Sequence, residues 1–381
     1  MIDVMDVEAA YRDCLRHKRG TENAMKFSLG WMHQVVSLTD SVNSRTYTPS
    51  TSICFVVTRP KLREVFAADF RDRVIHHYVA LRLEPLFEEV FSDRTFNCRK
   101  GKGQLYGVRQ LYRDIEACSA NYTRDCWIMK LDLQGFFMSI DKRIMAQMID
   151  NFIVERYQNG DDKEDMRYLC RTLILHEPQL DCTKRSPQEL FDALPDHKTL
   201  FRNQRGKGIA IGNLFSQIFA NFYLNGIDWF IDGITPYHGR YVDDIYMVSE
   251  DKNKLLESVP KIREELKKLG LQLNEKKFYL QHYTKGVKFT GTVVKPGRTY
   301  CANRTVGGFK KAIHRLNRSY DMESITHAVQ SINSYLGFLR QHNEYGIRVK
   351  CLGMIDKRLF EYLYIKGHYE CIVIKKQFRQ R

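Results

Sequence analysis

Two adjacent carboxylates, Asp243 and Asp244, stand in the run GRYVDDIYMVS, residues 239–249, between two short β-prone stretches. A single Asp at a β-turn ordinarily caps its own backbone. Two side by side repel each other, and burial raises that cost. A third carboxylate, Asp132, ends the strand-like run CWIMKLD, residues 126–132. If these strands pair, three carboxylates meet at one sheet edge, an arrangement that repels itself unless it holds a divalent cation. Hard oxygen ligands suit Mg²⁺, with Mn²⁺ as a substitute. Two such ions, about 3.5–4 Å apart, would activate an attacking hydroxyl and neutralise a leaving pyrophosphate. This reading requires Asp132 to lie near Asp243, with no basic group filling the space between them.

The elements that must position these residues follow from periodicity. ICFVV, residues 53–57, reads as a strand, and RDRVIHHYVALRLEPLFEEVF has helical spacing of its apolar residues. NLFSQIFANFYLNGIDWFI, residues 213–231, reads as one helix with a continuous apolar face. KNKLLESVPKIREELKKLG reads as a helix stopped by Gly270, in which Pro260 demands a kink or a break. GVKFTGTVVKPGRTY, residues 286–300, alternates like a hairpin, and the tail from 307 reads as helical. A strand with Asp, a helix, an Asp-Asp hairpin, another helix and a helical tail predict helices packed on a mainly antiparallel sheet, an α+β fold.

The 381 residues carry 60 Lys and Arg against 45 Asp and Glu, a formal net charge of +15. Residues 298–381 hold 16 of those bases and only 6 of the acids. A basic excess concentrated in one segment points to a polyanionic partner, nucleic acid ahead of a membrane surface. Ten cysteines occur without any C-x-x-C, which gives neither a zinc ribbon nor a redox motif. The opening residues lack the apolar stretch of a signal peptide, and no segment has the length of a membrane helix. The expectation is a cytoplasmic protein with free thiols and no membrane partner.

YVDD on a hairpin, KLDLQGFFMSID upstream and GIAIGNLFSQIFANFYLN between them resemble the palm of a reverse transcriptase. The resemblance spans roughly residues 50–300, with three motifs in order. It implies a right-hand polymerase that takes deoxynucleoside triphosphates (dNTPs). Its parts would be an N-terminal helical extension (1–47), fingers (48–125), a palm (126–297) interrupted by a polar insertion at about 158–208, and a basic helical thumb (298–381). Asp132 and Asp243 take the catalytic, metal-binding roles, supported by Asp244. Phe137 falls where the family places a ring under the incoming sugar, excluding a 2′-hydroxyl. KLREVFAADFRDR resembles the fingers motif whose bases hold the triphosphate. Arg63 and Arg73 are its implied ligands and Lys61 an alternate, with salt bridges to Glu64 or Asp72 as the plainer reading. Ile211, Gly212 and Gln217 would border the nascent pair, and Lys276 in LNEKKF would assist the pyrophosphate.

CRKGKGQ, with Arg99, Lys100 and Lys102, has glycines that would let the backbone approach a template, but lacks the Gly-Lys-Ser/Thr order of a P-loop. Lys310, Lys311 and Arg315 would grip the phosphates of an RNA–DNA duplex. The central motif departs from the usual Gln-Gly followed by Ser-Pro: it reads Ile211-Gly212, then Ser216-Gln217. That combination resembles enzymes of diversity-generating retroelements, which copy a dedicated structured RNA and misincorporate opposite adenine. Ile cannot offer the hydrogen bond that Gln can, and a pocket that loses a polar contact discriminates less well. The resemblance also implies a small basic accessory protein. An antiphage-defence reverse transcriptase copying a companion non-coding RNA is the alternative of the same chemistry. A catalytically silent RNA-binding scaffold is the alternative of another class, and the retention of all three aspartates argues against it.

Overall fold

Trp127, Ile128, Met129 and Leu131 give residues 127–132 the β-prone, mostly buried character of an interior strand. The computed structural model describes residues 1–16, 18–59, 61–158, 160–342 and 344–378. In chain order its strands are β1 (Ser52–Val57), β2 (Arg63–Ala67), β3 (Trp127–Asp132), β4 (Cys182–Lys184), β5 (His238–Tyr241), β6 (Asp244–Ser249), β7 (Tyr279–His282), β8 (Val287–Phe289), β9 (Thr292–Lys295), β10 (Arg298–Cys301), β11 (Leu363–Lys366) and β12 (Cys371–Ile374). They form sheets of order β2-β1-β4, β5-β6-β3-β7, β10-β9-β8 and β11-β12. With helices between them, this is an α+β fold.

The chain divides into two compact units. The first comprises residues 1–103, 130–246 and 253–278; the second comprises 104–129, 247–252 and 279–381. In the first, the Val4–Leu15 helix packs on the long helix Phe70–Val90, where Tyr11, Phe27 and Phe70 form a ring cluster. β1 and β2 pair antiparallel in the register Cys54–Phe66, and β4 adds to β1 in parallel. The stretch read as a polar insertion is packed into this unit. Its helix Lys163–Leu175 buries Met166, Leu169, Cys170, Leu173 and Ile174, and β4 lies within it.

The apolar run 213–231 makes two helices, Leu214–Tyr223 and Asn225–Asp232, rather than one. The break falls at the fully buried Leu224, and the second helix carries Asp228, which is buried against Arg240. The helix Lys252–Lys268 runs unbroken through Pro260, against expectation. Pro260 is exposed, so water can satisfy the carbonyl that the missing N–H leaves behind. Gly270, at φ +68°, ends this helix, with Leu271 N–H bonded back to Leu266 O.

In the second unit, residues 286–301 form the three-stranded meander β8-β9-β10. Helices Asn303–Asn317, Met322–Arg340 and Tyr345–Leu352 bury Phe309, Ile313, Ile332, Leu336 and Leu352 in one core. The tail is not helical throughout, because it ends on the antiparallel hairpin β11-β12. Asn333 clamps that hairpin through two bonds to the backbone of Ile372.

Candidate active site

The β5–β6 turn consists of Val242 and Asp243, and Asp244 is the first residue of β6. Val242 has φ +60°, a conformation that a β-branched residue adopts only under constraint. The constraint is visible. Val242 N–H donates to Asn97 Oδ1 at 2.9 Å, and its carbonyl accepts from Arg240 at 3.1 Å. Arg240 is fully buried and forms a two-pronged pair with the buried Asp228, Nε to Oδ1 at 2.7 Å. Asn221 accepts from Arg240 at 3.0 Å and donates to Asn97 O at 3.0 Å, while Thr95 donates to Asp228 at 2.7 Å. A saturated polar network thus fixes the turn that presents Asp243.

Asp132 ends β3. Asn274 N–H donates to Asp132 O at 2.7 Å, and Gln134 N–H donates to Gln272 O at 2.9 Å, so the backbone is held on both sides of Leu133. The chain then bends at Gly135, φ +54°, into the short helix Phe136–Ser139. Burial, followed by the charges of Asp132 and Asp244, pushes the Asp243 carboxyl above the ordinary carboxylate range. Asp244 is also raised: burial outweighs the pull of Lys130, whose Nζ lies 2.8 Å away. The three carboxylates therefore feel one another, as three like charges at one sheet edge must.

Basic groups do enter this cluster. Lys277 Nζ bonds both oxygens of Asp132, at 2.6 and 2.7 Å, and Lys130 bonds Asp244. This departs from the expectation that no basic group would stand there. Among the described residues no three Asp, Glu, His or Cys side chains are gathered as a ligand set. The physical reason is the same repulsion that suggested a metal: buried like charges draw the nearest cation. The donor set nonetheless fits a hard divalent ion, since these are carboxylate oxygens in a net-acidic, partly desolvated cluster. Lys277 is about half exposed, 49%, on a flexible stem, so a cation can take its place at the cost of a surface ion pair.

Phe137 and Ile211 pack on one apolar cluster with Leu62 and Phe201. Ile211 O accepts from Phe66 N–H of β2 at 2.8 Å, and Phe137 O accepts from Ile209 N–H at 2.9 Å. Gly212, φ +119°, lies so close to β2 that a methyl group there would stand 2.6 Å from Phe66 O. Only glycine permits that approach. Arg63, the first residue of β2, and Lys61 just before it are exposed. Lys61, although exposed, sits below the ordinary lysine range, first through partial desolvation and then through the charges of Lys277, Arg63 and Lys198. The Asp132 carboxylate, bonded by Lys277, is also felt at Lys61.

Other sequence-predicted residues are placed differently. Arg73 donates Nε to Ala68 O at 2.9 Å inside its own helix start, a structural bond. Arg99 is committed to Glu88 and to the carbonyls of Ser92 and Thr95, with its side chain only 4% exposed. Lys102 bonds Asp93. Of that trio only Lys100 is exposed. Gln217 accepts from Cys98 of the same basic loop at 3.6 Å. Lys276 shares a 3₁₀ turn with Lys277, but it is Lys277 that reaches Asp132. Lys310, Lys311 and Arg315 are exposed on the Asn303–Asn317 helix of the second unit, opposite its buried face of Phe309, Ala312, Ile313 and Leu316. Lys130, Lys198 and Asn97 went unread in the sequence; only Lys130, two residues before Asp132 and on its face of β3, carried a signal.

Residues 58–294, which include Asp132, Phe137, Ile211 and the Asp243–Asp244 pair, match the family model "Reverse transcriptase (RNA-dependent DNA polymerase)". The chain belongs to that family. Membership of the reverse transcriptase family brings with it the α+β, right-hand polymerase class that the motifs led us to expect. Among curated proteins, this reverse transcriptase family member is 20% identical over 194 residues to Protein YkfC of Escherichia coli (strain K12), covering 51% of this chain and 42% of that protein. It is 23% identical over 155 residues to Nuclear intron maturase 1, mitochondrial, of Arabidopsis thaliana, covering 39% of this chain and 20% of that one. It thus spans less than half the length of either relative. Solved structures that it resembles include telomerase from Candida albicans in complex with a TWJ fragment of telomeric RNA (TM-score 0.46, 10% identity, 85% of this chain and 64% of that one). Apo telomerase from Candida tropicalis, truncated from its C-terminal domain, has TM-score 0.45 and 12% identity, over 70% of this chain and 59% of that one. No helix among the described residues is long and apolar enough to cross a membrane.

Proposed function

We propose that the chain is an RNA-directed DNA polymerase that extends a DNA primer on an RNA template with dNTPs. The observation that carries this reading is the pairing of opposite charge clusters at the end of β3. Asp132, Asp243 and Asp244 repel one another on one side, and Lys61, which feels the charge of Asp132, stands near Arg63 on the other, both bases without carboxylate partners among the described residues. Nucleotidyl transfer needs both, acidic oxygens for divalent cations and bases for a triphosphate. Asp132 and Asp243, with Asp244 in support, would hold Mg²⁺ or Mn²⁺, which supplies Lewis-acid stabilisation of the reacting phosphate. The chain's own residues do the rest. Lys277 balances Asp132 until it is displaced, the Arg240 network holds Asp243 in place, and Phe137 supplies a ring on which the incoming sugar can rest. The exposed bases of the Asn303–Asn317 helix would bind duplex phosphates. The test is primer extension by the full chain on an RNA template with Mg²⁺, with Asp243→Asn as the control. Loss of incorporation with RNA binding retained supports the polymerase, whereas equal inactivity of both proteins on varied templates would leave the scaffold reading.

Ile211 favours a finer reading, of an enzyme that copies one structured non-coding RNA with errors at template adenine, as in diversity-generating retroelements. Its side chain shares a cluster with Phe137, which supports a position at the nucleotide pocket, and it offers no hydrogen bond there. The antiphage-defence alternative shares the chemistry and differs in the RNA. Sequencing RNA that co-purifies with the chain distinguishes them, since a template repeat of a variable gene fits the first and an RNA without such a target fits the second.

A further inference from the structure

The inserted stretch reaches the same site. Residues Asp196–Lys198 make a single 3₁₀ turn that is held at both ends. On its N-terminal side the Arg202 guanidinium bonds Asp196 Oδ1 at 2.6 Å and also Leu194 O. On its C-terminal side the fully buried Glu64 of β2 accepts from Thr199 Oγ1 at 2.6 Å and from Leu200 N–H. Glu64 directly follows Arg63, so the strand that carries one phosphate-binding candidate also anchors this turn. On the other flank, a methyl group at Gly135 would stand 3.1 Å from His197 O, so the turn abuts the bend three residues beyond Asp132.

The turn projects Lys198. Its side chain is exposed and meets no carboxylate among the described residues, while its charge is felt at Lys61 beside Arg63 and Lys277. A buried carboxylate is a costly anchor for a mere surface loop. Of these cations only Lys277 is bonded to a carboxylate among the described residues, that of Asp132, and like charges brought together with so few anions are costly unless a further anion joins them.

We propose that Lys198, carried by the insertion, binds the triphosphate of the incoming nucleotide together with Lys61 and Arg63, and that Glu64 is the positioning residue that sets it. This rests on the polymerase reading and deepens it, because a segment foreign to the three palm motifs completes the nucleotide site. Polyphosphate chemistry fits the cluster: several negative oxygens in a short chain can meet several ammonium and guanidinium groups at once.

The experiment uses the full chain in two arms. In the first, the affinity for inorganic tripolyphosphate is measured by calorimetry, without primer or template. In the second, KM for dNTP and kcat are measured by primer extension. Lys198→Ala is expected to weaken tripolyphosphate binding and to raise KM by about tenfold each, the loss of one charge-assisted contact, with kcat nearly unchanged. Lys198→Arg is expected to keep most of both. Glu64→Gln should raise KM less than Lys198→Ala and leave kcat alone. Lys198 is exposed, so its substitution leaves folding intact even where Glu64→Gln does not. Unchanged KM and unchanged tripolyphosphate affinity in Lys198→Ala would overturn the proposal while an active wild type upholds the polymerase. A wild type that incorporates no dNTP on any template would overturn the polymerase reading and, with it, the nucleotide as ligand, whatever the tripolyphosphate arm shows.

Discussion

Two sets of charges meet around the β5–β6 hairpin, and they are treated in opposite ways. Arg240 and Asp228, 0% and 1% exposed, have their hydrogen-bonding groups engaged by each other and by Asn221, Thr95 and Val242. Asp243 and Asp244 are partly buried among like charges, and among the described residues Asp132 and Asp244 are ion-paired only with the long, movable side chains of Lys277 and Lys130. The first set is complete in the folded chain. The second is balanced only in part, by lysines at Asp132 and Asp244. A satisfied ion pair is structural, whereas an unsatisfied one kept beside it is stability given up for chemistry.

Substitution of Asp243 by Asn is the hardest test of that contrast. It preserves size and removes the charge, so incorporation should fall by about 10³-fold or more. Rates comparable to the wild type would end the assignment of this carboxylate. Next comes Arg240→Met, which strands Asp228 in the core. It should lower unfolding stability by about 3–5 kcal/mol, read from the midpoint of urea denaturation. The double variant Arg240→Met/Asp228→Leu should recover part of that loss. If it recovers none, the pair is not a matched ionic unit.

A smaller effect sharpens the comparison from the other side. Because Asp243 and Asp244 titrate above the ordinary carboxylate range, the folded state holds their protons more tightly than the unfolded chain does. Their contribution to stability is therefore lost as pH rises from the unfolded carboxylate value through the raised folded ones. Without divalent metal, Asp243→Asn should be more stable than the wild type at neutral pH by about 0.5–2 kcal/mol, the gain expected when repulsion is removed from a functional site. The difference should shrink on acidification. An equal or lower melting temperature for Asp243→Asn at pH 7 would mean that Lys277 and Lys130 already balance the cluster.

The same contrast explains what could be read from the sequence. Asp132, Asp243 and Asp244 were legible because carboxylates inside β-prone apolar runs break a local rule, and such violations concentrate at functional sites. The α+β order was legible from periodicity. Partnership was not. Arg99 and Lys102 look like free bases in CRKGKGQ, yet Glu88 and Asp93 take them. Lys276 and Lys277 are identical in type, and only the 3₁₀ turn decides which one faces Asp132. Composition also concealed how the polar stretch at 158–208 is held: β4 is three residues long, and the contact that anchors the Asp196–Lys198 turn is made by a buried Glu on another strand. Charge is a property of the residue, but whether that charge is satisfied depends on residues far away in the chain.

The subtlest prediction concerns Ile211, which sits where the two kinds of site meet. Its backbone is structural, bonded to Phe66 of β2, while its side chain faces the cluster that includes Phe137. Ile211→Gln leaves the backbone bond untouched and adds one donor at the pocket. Error frequency opposite template adenine, measured by sequencing primer-extension products, should fall by roughly tenfold, because one hydrogen bond separates correct from incorrect pairs by that order. Under the diversity-generating reading, fidelity at other template bases should change less. An error spectrum that stays the same at all four bases would make Ile211 a packing residue and remove the ground for the diversity-generating reading, while leaving the polymerase itself intact. A uniform fall at every base would instead assign the residue a general role in closing the pocket.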